Sequence, residues 1–156
     1  METPKPFRAL IVGGGLVGLT AAHIFSKANI DFLVLEKHDT PFSPYGTTLA
    51  LWPQTFRIFD QLGLLEAVRL IQDVINEDFG LSTEDARIIT RDKMTELVER
   101  NHGYGHRIVH RLDMLKLLYE TLPDTVKTRI LLKKQVLDAT ICKDLGENYL
   151  PRWKHI

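Results

Sequence analysis

The sequence predicts an α/β fold built around a parallel sheet, and three observations near its start predict it. Residues 7–12 (FRALIV) form a short apolar run of the kind found in buried parallel strands. Residues 16–28 suit a helix, and Asn29 can end that helix in a left-handed conformation. Residues 32–35 (FLVL) form a second apolar run, which is predicted to be the next strand. Strand, helix and strand in this order make one βαβ unit.

A glycine motif lies between the first strand and the helix. Gly13, Gly15 and Gly18 have the spacing G-x-G-x-x-G, which permits a tight turn, a close approach to a pyrophosphate and close packing of helix on strand, respectively. The start of the helix would direct its N–H groups at the phosphates. Glu36 ends the second strand 18 residues after Gly18, near the spacing of a carboxylate that binds a ribose hydroxyl. Together these features predict a Rossmann-like dinucleotide-binding unit.

The same stretch has a second interpretation, a secretory signal peptide, because Lys5 and Arg8 precede an almost uncharged run that ends near Phe25. The consecutive glycines argue against it, since each costs a helix about 1 kcal/mol relative to alanine. The run is also shorter than the roughly 20 residues that cross a bilayer. The nucleotide-binding interpretation accounts for more residues, and no segment after Phe25 is predicted to span a membrane.

The composition limits the partners that we expect. Hydrophobic residues make up 44% of the chain, which is enough for a core. The 20 basic residues balance the 20 acidic ones, so the chain has no net charge that would attract nucleic acid. No nucleic-acid partner is therefore predicted. The single cysteine, Cys142, excludes an internal disulfide and suits a reducing compartment, for which the cytoplasm is the expectation.

The rest of the chain alternates short strands with helices. Residues 37–45 are predicted to be a loop. Strands are predicted at residues 47–52, 108–109, 129–132 and 136–141, with a hairpin at residues 79–90. Helices are predicted at residues 54–62, 64–71, 94–100 and 113–122. Pro53 suits the first turn of the first of these helices and Gly63 its end, whereas Pro123 closes the last.

The sequence contains three groups of polar residues whose types occur in catalytic or metal sites. His102, His106 and His110 have the four-residue spacing of helical metal ligands, but the glycines between them disfavour a helix, so we predict solvated or hydrogen-bonded histidines and no metal site. None of the serines lies in a G-x-S-x-G turn, so no hydrolase triad is predicted. The basic cluster HRIVHR, residues 106–111, is either a solvated edge or places an arginine near a cofactor phosphate or flavin.

Three blocks of the sequence, taken in order, resemble the FAD-dependent monooxygenases of the aromatic-hydroxylase type. The blocks are GGGLVGLTAAHIFSKANIDFLVLEK (residues 13–37), TTLALWPQTFRIFDQLGL (residues 47–64) and HGYGHRIVHRLDMLKLLYETLP (residues 102–123). The fungal branch that epoxidises or hydroxylates terpenoids and other secondary metabolites is the most similar. The resemblance covers about residues 7–141, so we divide the chain into an FAD-binding region, residues 1–141, and a divergent tail, residues 142–156.

The resemblance implies FAD as the cofactor and gives roles to particular residues. Gly13, Gly15 and Gly18 would hold the pyrophosphate of FAD, and Glu36 would hold its adenosine ribose. Arg111 matches the FAD-contacting arginine of the family's R-x-x-L block, with Met114 in the leucine position. Ala50 lies in an FAD-contacting turn where the family usually has glycine, and its methyl group would either crowd the flavin or be accommodated by a small shift.

The resemblance also implies an activity that uses NADPH and O2 on a small-molecule substrate. NADPH would reduce the bound FAD, O2 would react with the reduced flavin, and one oxygen atom would pass to an alkene or an electron-rich carbon. No side chain is assigned as a catalytic acid or base. The family runs for several hundred residues and carries DG and GD motifs that this sequence lacks, so we expect a truncated form with doubtful activity of its own. Longer relatives can associate with membranes through other segments.

Two other functions remain open. An NAD(P)-dependent reductase could use the same βαβ unit, but no lysine stands four residues after any tyrosine, so the Tyr-x-x-x-Lys pair of short-chain reductases is missing. The second alternative is a non-catalytic remnant that binds nucleotide weakly or completes its sheet with another chain. Retention of FAD on purification and the aggregation state would distinguish these functions.

Overall fold

The computed structural model describes residues 8–42, 46–75, 78–138 and 153–155. Its strands are β1 (Arg8–Val12), β2 (Asp31–Leu35), β3 (Thr48–Leu51), β4 (Asp73–Val74), β5 (Asp78–Leu81), β6 (Ile88–Asp92), β7 (Arg107–His110), β8 (Ile130–Leu131), β9 (Lys134–Val136) and β10 (Trp153–His155). Its helices are α1 (Leu16–Lys27), α2 (Pro53–Leu62), α3 (Leu65–Arg69), α4 (Met94–His102), α5 (Arg111–Glu120) and α6 (Asp124–Lys127). The predicted α/β fold is confirmed.

The chain divides into two compact units. The first unit contains Met1–Pro44 and Leu115–Ile156, and the second contains Tyr45–Met114. Helix α5 therefore begins in the second unit and ends in the first.

The first unit is built on a parallel sheet with the strand order β1-β2-β8. In the register of β1 and β2, Arg8 lies opposite Asp31 and Val12 opposite Leu35, while Val34 lies opposite Ile130 of β8. Helix α1 connects β1 to its parallel neighbour β2, so the predicted βαβ unit is confirmed. The central strand β2 is the most buried of the three because it has a neighbouring strand on each side and buried side chains on both of its faces.

Apolar side chains from β2, α1 and α5 form the core of the first unit. Those with 1% exposure or less are Leu19, Ala22, Phe32, Val34, Leu35, Leu115 and Leu118. Phe32 is fully buried, and the edge of its ring packs against Phe25 with a centroid separation of 6.0 Å. Burial of one such side chain contributes about 1.5–3 kcal/mol, so truncation of Phe32 to alanine would open a cavity in the centre of this unit.

The ends of helix α1 follow from its sequence. The amide of Ala28 still donates to the carbonyl oxygen of Ile24 at 2.9 Å, and Asn29 then adopts a φ of +54°. Asparagine tolerates this left-handed conformation better than most residues do, which confirms the predicted stop. The amide of Ile30 closes the turn on the carbonyl oxygen of Phe25 at 2.9 Å and directs the chain into β2.

The second unit is built on an antiparallel sheet with the strand order β3-β7-β4. In this sheet Thr48 lies opposite His110 and Ala50 opposite Ile108. Helix α2 begins with Pro53 and ends at Gly63, as predicted. The buried apolar side chains of this unit come from α2, α3, the link between them, the sheet and the start of α5; they are Leu51, Phe56, Phe59, Leu62, Leu64, Leu65, Val68, Val109 and Met114. The predicted hairpin is also present, as the antiparallel pair β5–β6.

Four short elements differ from the sequence predictions, and one of them is β10, in the tail of the chain. The strand predicted at residues 136–141 is wrong in position, because β9 spans Lys134–Val136, residues 137–138 are not in a strand, and residues 139–141 lie outside the described ranges. Strand β4 and helix α6 were not predicted. The start of β9 depends on a tertiary hydrogen bond, from the amide of Lys134 to the carbonyl oxygen of Glu36 at 2.8 Å, which has no signature in the local sequence.

The tail of the chain contributes one described strand. The backbone of β10 pairs with β9 in antiparallel register, with Trp153 opposite Val136. The domain boundary at residue 141 falls among residues outside the described ranges, so it stays a prediction. In the part of the chain that the structure describes, every helix is too short or too polar to cross a bilayer.

A buried histidine joins α1 to α5 within the first unit. Nε2 of His23 lies 2.8 Å from the carbonyl oxygen of Leu118, and the hydroxyl group of Thr121 is 3.4 Å away. Burial lowers the pKa of His23 from its ordinary value of 6.5, the Leu118 carbonyl raises it in part, and the charge of Lys27 lowers it further. The ring is therefore neutral in the folded chain at neutral pH, and Nε2 donates its proton to Leu118.

We predict that His23 makes stability fall as the pH falls below about 6.5. The unfolded chain binds a proton at this histidine more readily than the folded chain does, so acid favours unfolding; above that pH the two states are equally uncharged there. Urea unfolding at about pH 7.5 and about pH 5.5 measures the difference. The variant His23→Gln keeps a donor for Leu118 without the charge, and should lose less stability over this interval. An equal loss in both proteins would contradict the prediction.

Candidate cofactor site

The predicted glycine turn continues the pairing of β1 with β2 beyond the ends of the strands. The amide of Gly13 donates to the carbonyl oxygen of Leu35 at 2.8 Å, so the turn stays attached to β2. Gly13 has a φ of +104°, which L side chains rarely adopt. Its contribution is the backbone conformation, because a Cβ atom there would meet nothing within 4 Å. The tight turn predicted at Gly13 is confirmed.

Gly15 leaves open space at the start of helix α1. Its φ of −74° is ordinary, and a Cβ atom built on it has no neighbour within 4 Å among the described residues. Among the residues that the structure describes, no side chain caps the first turn of α1, and that turn contains no acidic residue. The unpaired N–H groups and positive end of the helix therefore face a volume in which an anion can bind.

Gly18 is required by close packing. A Cβ atom at this position would collide with the carbonyl oxygen of Gly13 and would lie 3.3 Å from Cγ2 of Ile11. The obstacle is backbone, which cannot move aside as a flexible side chain can. The close packing of helix on strand that the sequence predicts at Gly18 is confirmed.

Glu36 lies against this turn with its carboxylate held at both oxygens. Oε2 accepts a hydrogen bond from the amide of Gly14 at 2.6 Å, and Oε1 accepts one from the amide of His38 at 2.9 Å. The residue is only 9% exposed. Each oxygen retains a second lone pair, so the carboxylate can also accept hydrogen bonds from two neighbouring hydroxyl groups. A ribose presents two neighbouring hydroxyl groups of this kind. Glu36 and the glycine turn therefore fit the adenosine and pyrophosphate parts of FAD.

Gly14 is a site residue that sequence reasoning missed. A Cβ atom there would lie 3.2 Å from Oε2 and 3.3 Å from Cβ of Glu36. The position thus needs a glycine so that its amide can approach the carboxylate. The signal was present in the sequence, because the middle glycine of GGG is not explained by the spacing G-x-G-x-x-G.

Ala50 and Arg111, the other two predicted contacts, belong to the second unit. Ala50 is exposed on β3. Arg111 is the first residue of α5, directly after β7, and its amide donates to the carbonyl oxygen of Thr47 at 3.0 Å. The structure brings the glycines and Glu36 together in one unit. In the other unit, Ala50 lies on β3 and Arg111 directly follows β7, the strand that pairs with β3. Their contacts with FAD stay predictions.

The histidine and basic cluster differs from the solvated edge considered above. The ring of His106 stacks on Trp52 with a centroid separation of 4.4 Å, and its two nitrogens are buried without a hydrogen-bond partner among the described residues. The expectation of a solvated or hydrogen-bonded histidine is therefore wrong for His106. Arg107 is also largely buried and pairs with Glu99 at 2.9 Å. Among the described residues, no three His, Cys, Asp or Glu side chains are grouped as metal ligands.

The family of the chain follows from comparison with known proteins. Residues 7–140 match a family described as an FAD binding domain. The match spans most of the chain, so the chain belongs to this family of FAD-binding domains, and FAD is its cofactor.

More particularly, its curated relatives are fungal FAD-dependent monooxygenases. The FAD-dependent monooxygenase srdH of Neurospora crassa is 39% identical over 116 residues, which are 74% of this chain and 26% of that protein. The FAD-dependent monooxygenase aurC of Calcarisporium arbuscula is 34% identical over 150 residues, which are 92% of this chain and 30% of that protein. The predicted resemblance is confirmed, and the chain spans less than a third of either relative.

Solved structures show the same fold. HpxO of Klebsiella pneumoniae, in complex with FAD and uric acid, is similar with a TM-score of 0.72 and 18% identity over 91% of this chain and 34% of that chain. The tetrameric form of 2-methyl-3-hydroxypyridine-5-carboxylic acid oxygenase is similar with a TM-score of 0.71 and 21% identity over 87% of this chain and 34% of that chain.

We predict that Gly15→Ser and Gly18→Ala separate binding from folding. Serine is favoured at a helix N-cap and meets no neighbour at position 15, so the variant should fold with the stability of the natural chain within about 1 kcal/mol. Its side chain would occupy the space of the pyrophosphate and weaken FAD binding at least about tenfold. Gly18→Ala should instead lower the free energy of unfolding by about 1–3 kcal/mol through overpacking.

Urea unfolding and fluorescence titration with FAD provide the two readouts for both variants. Unchanged FAD affinity in Gly15→Ser would contradict the assignment of the open space to the pyrophosphate.

We predict that Glu36→Gln weakens FAD binding and also destabilises the turn. A glutamine has one acceptor oxygen for two backbone donors, so either Gly14 or His38 would face its NH2 group. The loss of a buried charge-assisted hydrogen bond costs about 1.5–3 kcal/mol, and the FAD affinity should fall by about 10- to 100-fold. Glu120→Gln, at an exposed position on α5, is the control and should change neither quantity. Equal effects of the two substitutions would overturn the assignment.

Proposed function

We propose that the chain supplies the FAD site of an NADPH-dependent monooxygenase that epoxidises or hydroxylates a small secondary metabolite such as a terpenoid. The observation that carries the proposal is the buried Glu36 carboxylate, held by the Gly14 amide beside an open helix N-terminus. The names of the fungal relatives support the monooxygenase activity, and the substrate class follows from the resemblance described above.

The residues of this chain bind and orient the cofactor. The N–H groups at the start of α1 face the volume where the pyrophosphate would lie, and Glu36 would accept the hydroxyl groups of the ribose. Bound FAD would carry the electrons from NADPH to O2 and so supply the oxidising chemistry. Arg111 would add a positive charge close to the cofactor, where a planar guanidinium can form paired hydrogen bonds with phosphate or flavin oxygens.

We also propose that the chain works in a reducing compartment, the cytoplasm. Support comes from its single cysteine, Cys142, which cannot form an internal disulfide.

The proposal is tested by the visible absorption spectrum of the purified chain, with and without added FAD. We expect a yellow protein whose flavin bands are shifted from those of free FAD. The support is that the glycine turn and Glu36, which we propose for the adenosine half, make the hydrogen bonds described above. A colourless protein that leaves the spectrum of added FAD unchanged would contradict the proposed site.

Oxidation of NADPH by the flavin-loaded chain is the second readout. O2-dependent NADPH oxidation would support the full monooxygenase proposal. Tight binding of FAD without NADPH oxidation would instead favour a nucleotide-binding chain that lacks catalysis of its own, and would overturn the catalytic part of the proposal.

A further inference from the structure

A second glycine outside the G-x-G-x-x-G motif has an unusual environment. Gly46 precedes β3 and has a φ of +139°, in a region of backbone conformation that residues with a Cβ atom rarely enter. A Cβ atom built on it would collide with Cδ of Arg111 and would lie 3.2 Å from Cγ and 3.3 Å from Cβ of the same side chain. The atoms in the way belong to the stem of the arginine rather than to its flexible end.

The backbone around Gly46 therefore contacts Arg111 in two ways. The Arg111 amide donates to the carbonyl oxygen of Thr47 at 3.0 Å, which fixes the start of α5 against the residue that follows Gly46. The aliphatic stem of Arg111 then lies across the Cα atom of Gly46. With its backbone fixed and one side of its stem in contact with a glycine, the side chain has few directions left for the guanidinium group.

We infer that Gly46 is a positioning residue for Arg111, whose aliphatic stem it accommodates by providing a surface without a side chain. Any Cβ atom at position 46 would displace the arginine stem and, with it, the guanidinium group to which the proposed function gives a contact with FAD. This inference rests on the proposed function, because that proposal gives Arg111 its contact with FAD. Gly46 therefore acts through the arginine.

The test is a double-mutant cycle of Gly46→Ala and Arg111→Ala, read out by FAD affinity and by urea unfolding without FAD. Gly46→Ala should weaken FAD binding about tenfold in the natural background and less than about twofold in the Arg111→Ala background, because Arg111→Ala removes the stem atoms that collide. The loss of stability caused by Gly46→Ala should likewise be smaller when Arg111 is absent. Additive effects on both readouts would overturn the inference.

Gly103→Ala is the matched control. Gly103 also has a positive φ, +77°, but a Cβ atom there would meet nothing within 4 Å. The substitution therefore introduces backbone strain without displacing a side chain, so it should lower stability and leave FAD affinity unchanged. If Gly103→Ala weakens FAD binding as much as Gly46→Ala does, backbone strain explains the result and the inference fails.

The outcomes also separate this inference from the proposed function. If Gly46→Ala folds only when Arg111 is replaced by alanine, the rescue supports the contact; misfolding in both backgrounds overturns it. A third outcome is that the two substitutions are coupled in urea unfolding but the chain binds no FAD. That result would support the contact between Gly46 and Arg111 and would contradict the proposed function. If the two substitutions are coupled in unfolding but Arg111→Ala leaves the FAD affinity unchanged, Gly46 has no role in FAD binding and the inference is overturned.

Discussion

The hydrogen bond between the Gly14 amide and the Glu36 carboxylate joins the end of β1 to the end of β2, and the geometry of the site depends on it. A buried, unpaired carboxylate costs several kcal/mol, so Glu36 is tolerated only because backbone donors approach both of its oxygens. The backbone of the same residue accepts the amide of Lys134, which starts β9. One residue thus fixes the glycine turn, ends β2 and aligns a further strand.

The four glycines near this bond differ in what they contribute. Gly13 adopts the backbone conformation of the turn, and Gly18 permits the close packing of α1 on that turn. Gly14 lets an amide approach the carboxylate, whereas Gly15 leaves the space that a ligand can occupy. Substitution of Gly13 or Gly18 acts chiefly on folding, whereas substitution of Gly15 acts chiefly on FAD binding. Apart from the Glu36 carboxylate, this part of the site is built from backbone groups, which hold their positions without the entropy cost of ordering long side chains.

The βαβ unit could be predicted from the sequence because its signals are local. Glycine spacing, an apolar strand on each side and a terminal carboxylate at a set distance all lie within about thirty residues. The contact of Gly46 with Arg111 joins positions that are 65 residues apart, and no local sequence pattern predicts it. Strand β9 was misplaced for the same reason, since the apolar residues after Val136 resemble a strand while a hydrogen bond to Glu36 starts the strand earlier. His106 was misjudged because stacking on Trp52 depends on the fold of the second unit.

The most direct test of the cofactor site is an NMR titration of the nitrogen-15-labelled chain with FAD, following the backbone amides of the glycine turn. Saturable shifts at Gly15 and Leu16, with little change at Gly103, are the result expected if the start of α1 binds the pyrophosphate. Uniformly small shifts, or equal shifts at Gly103, would contradict the assignment of the glycine turn and Glu36 as the FAD site.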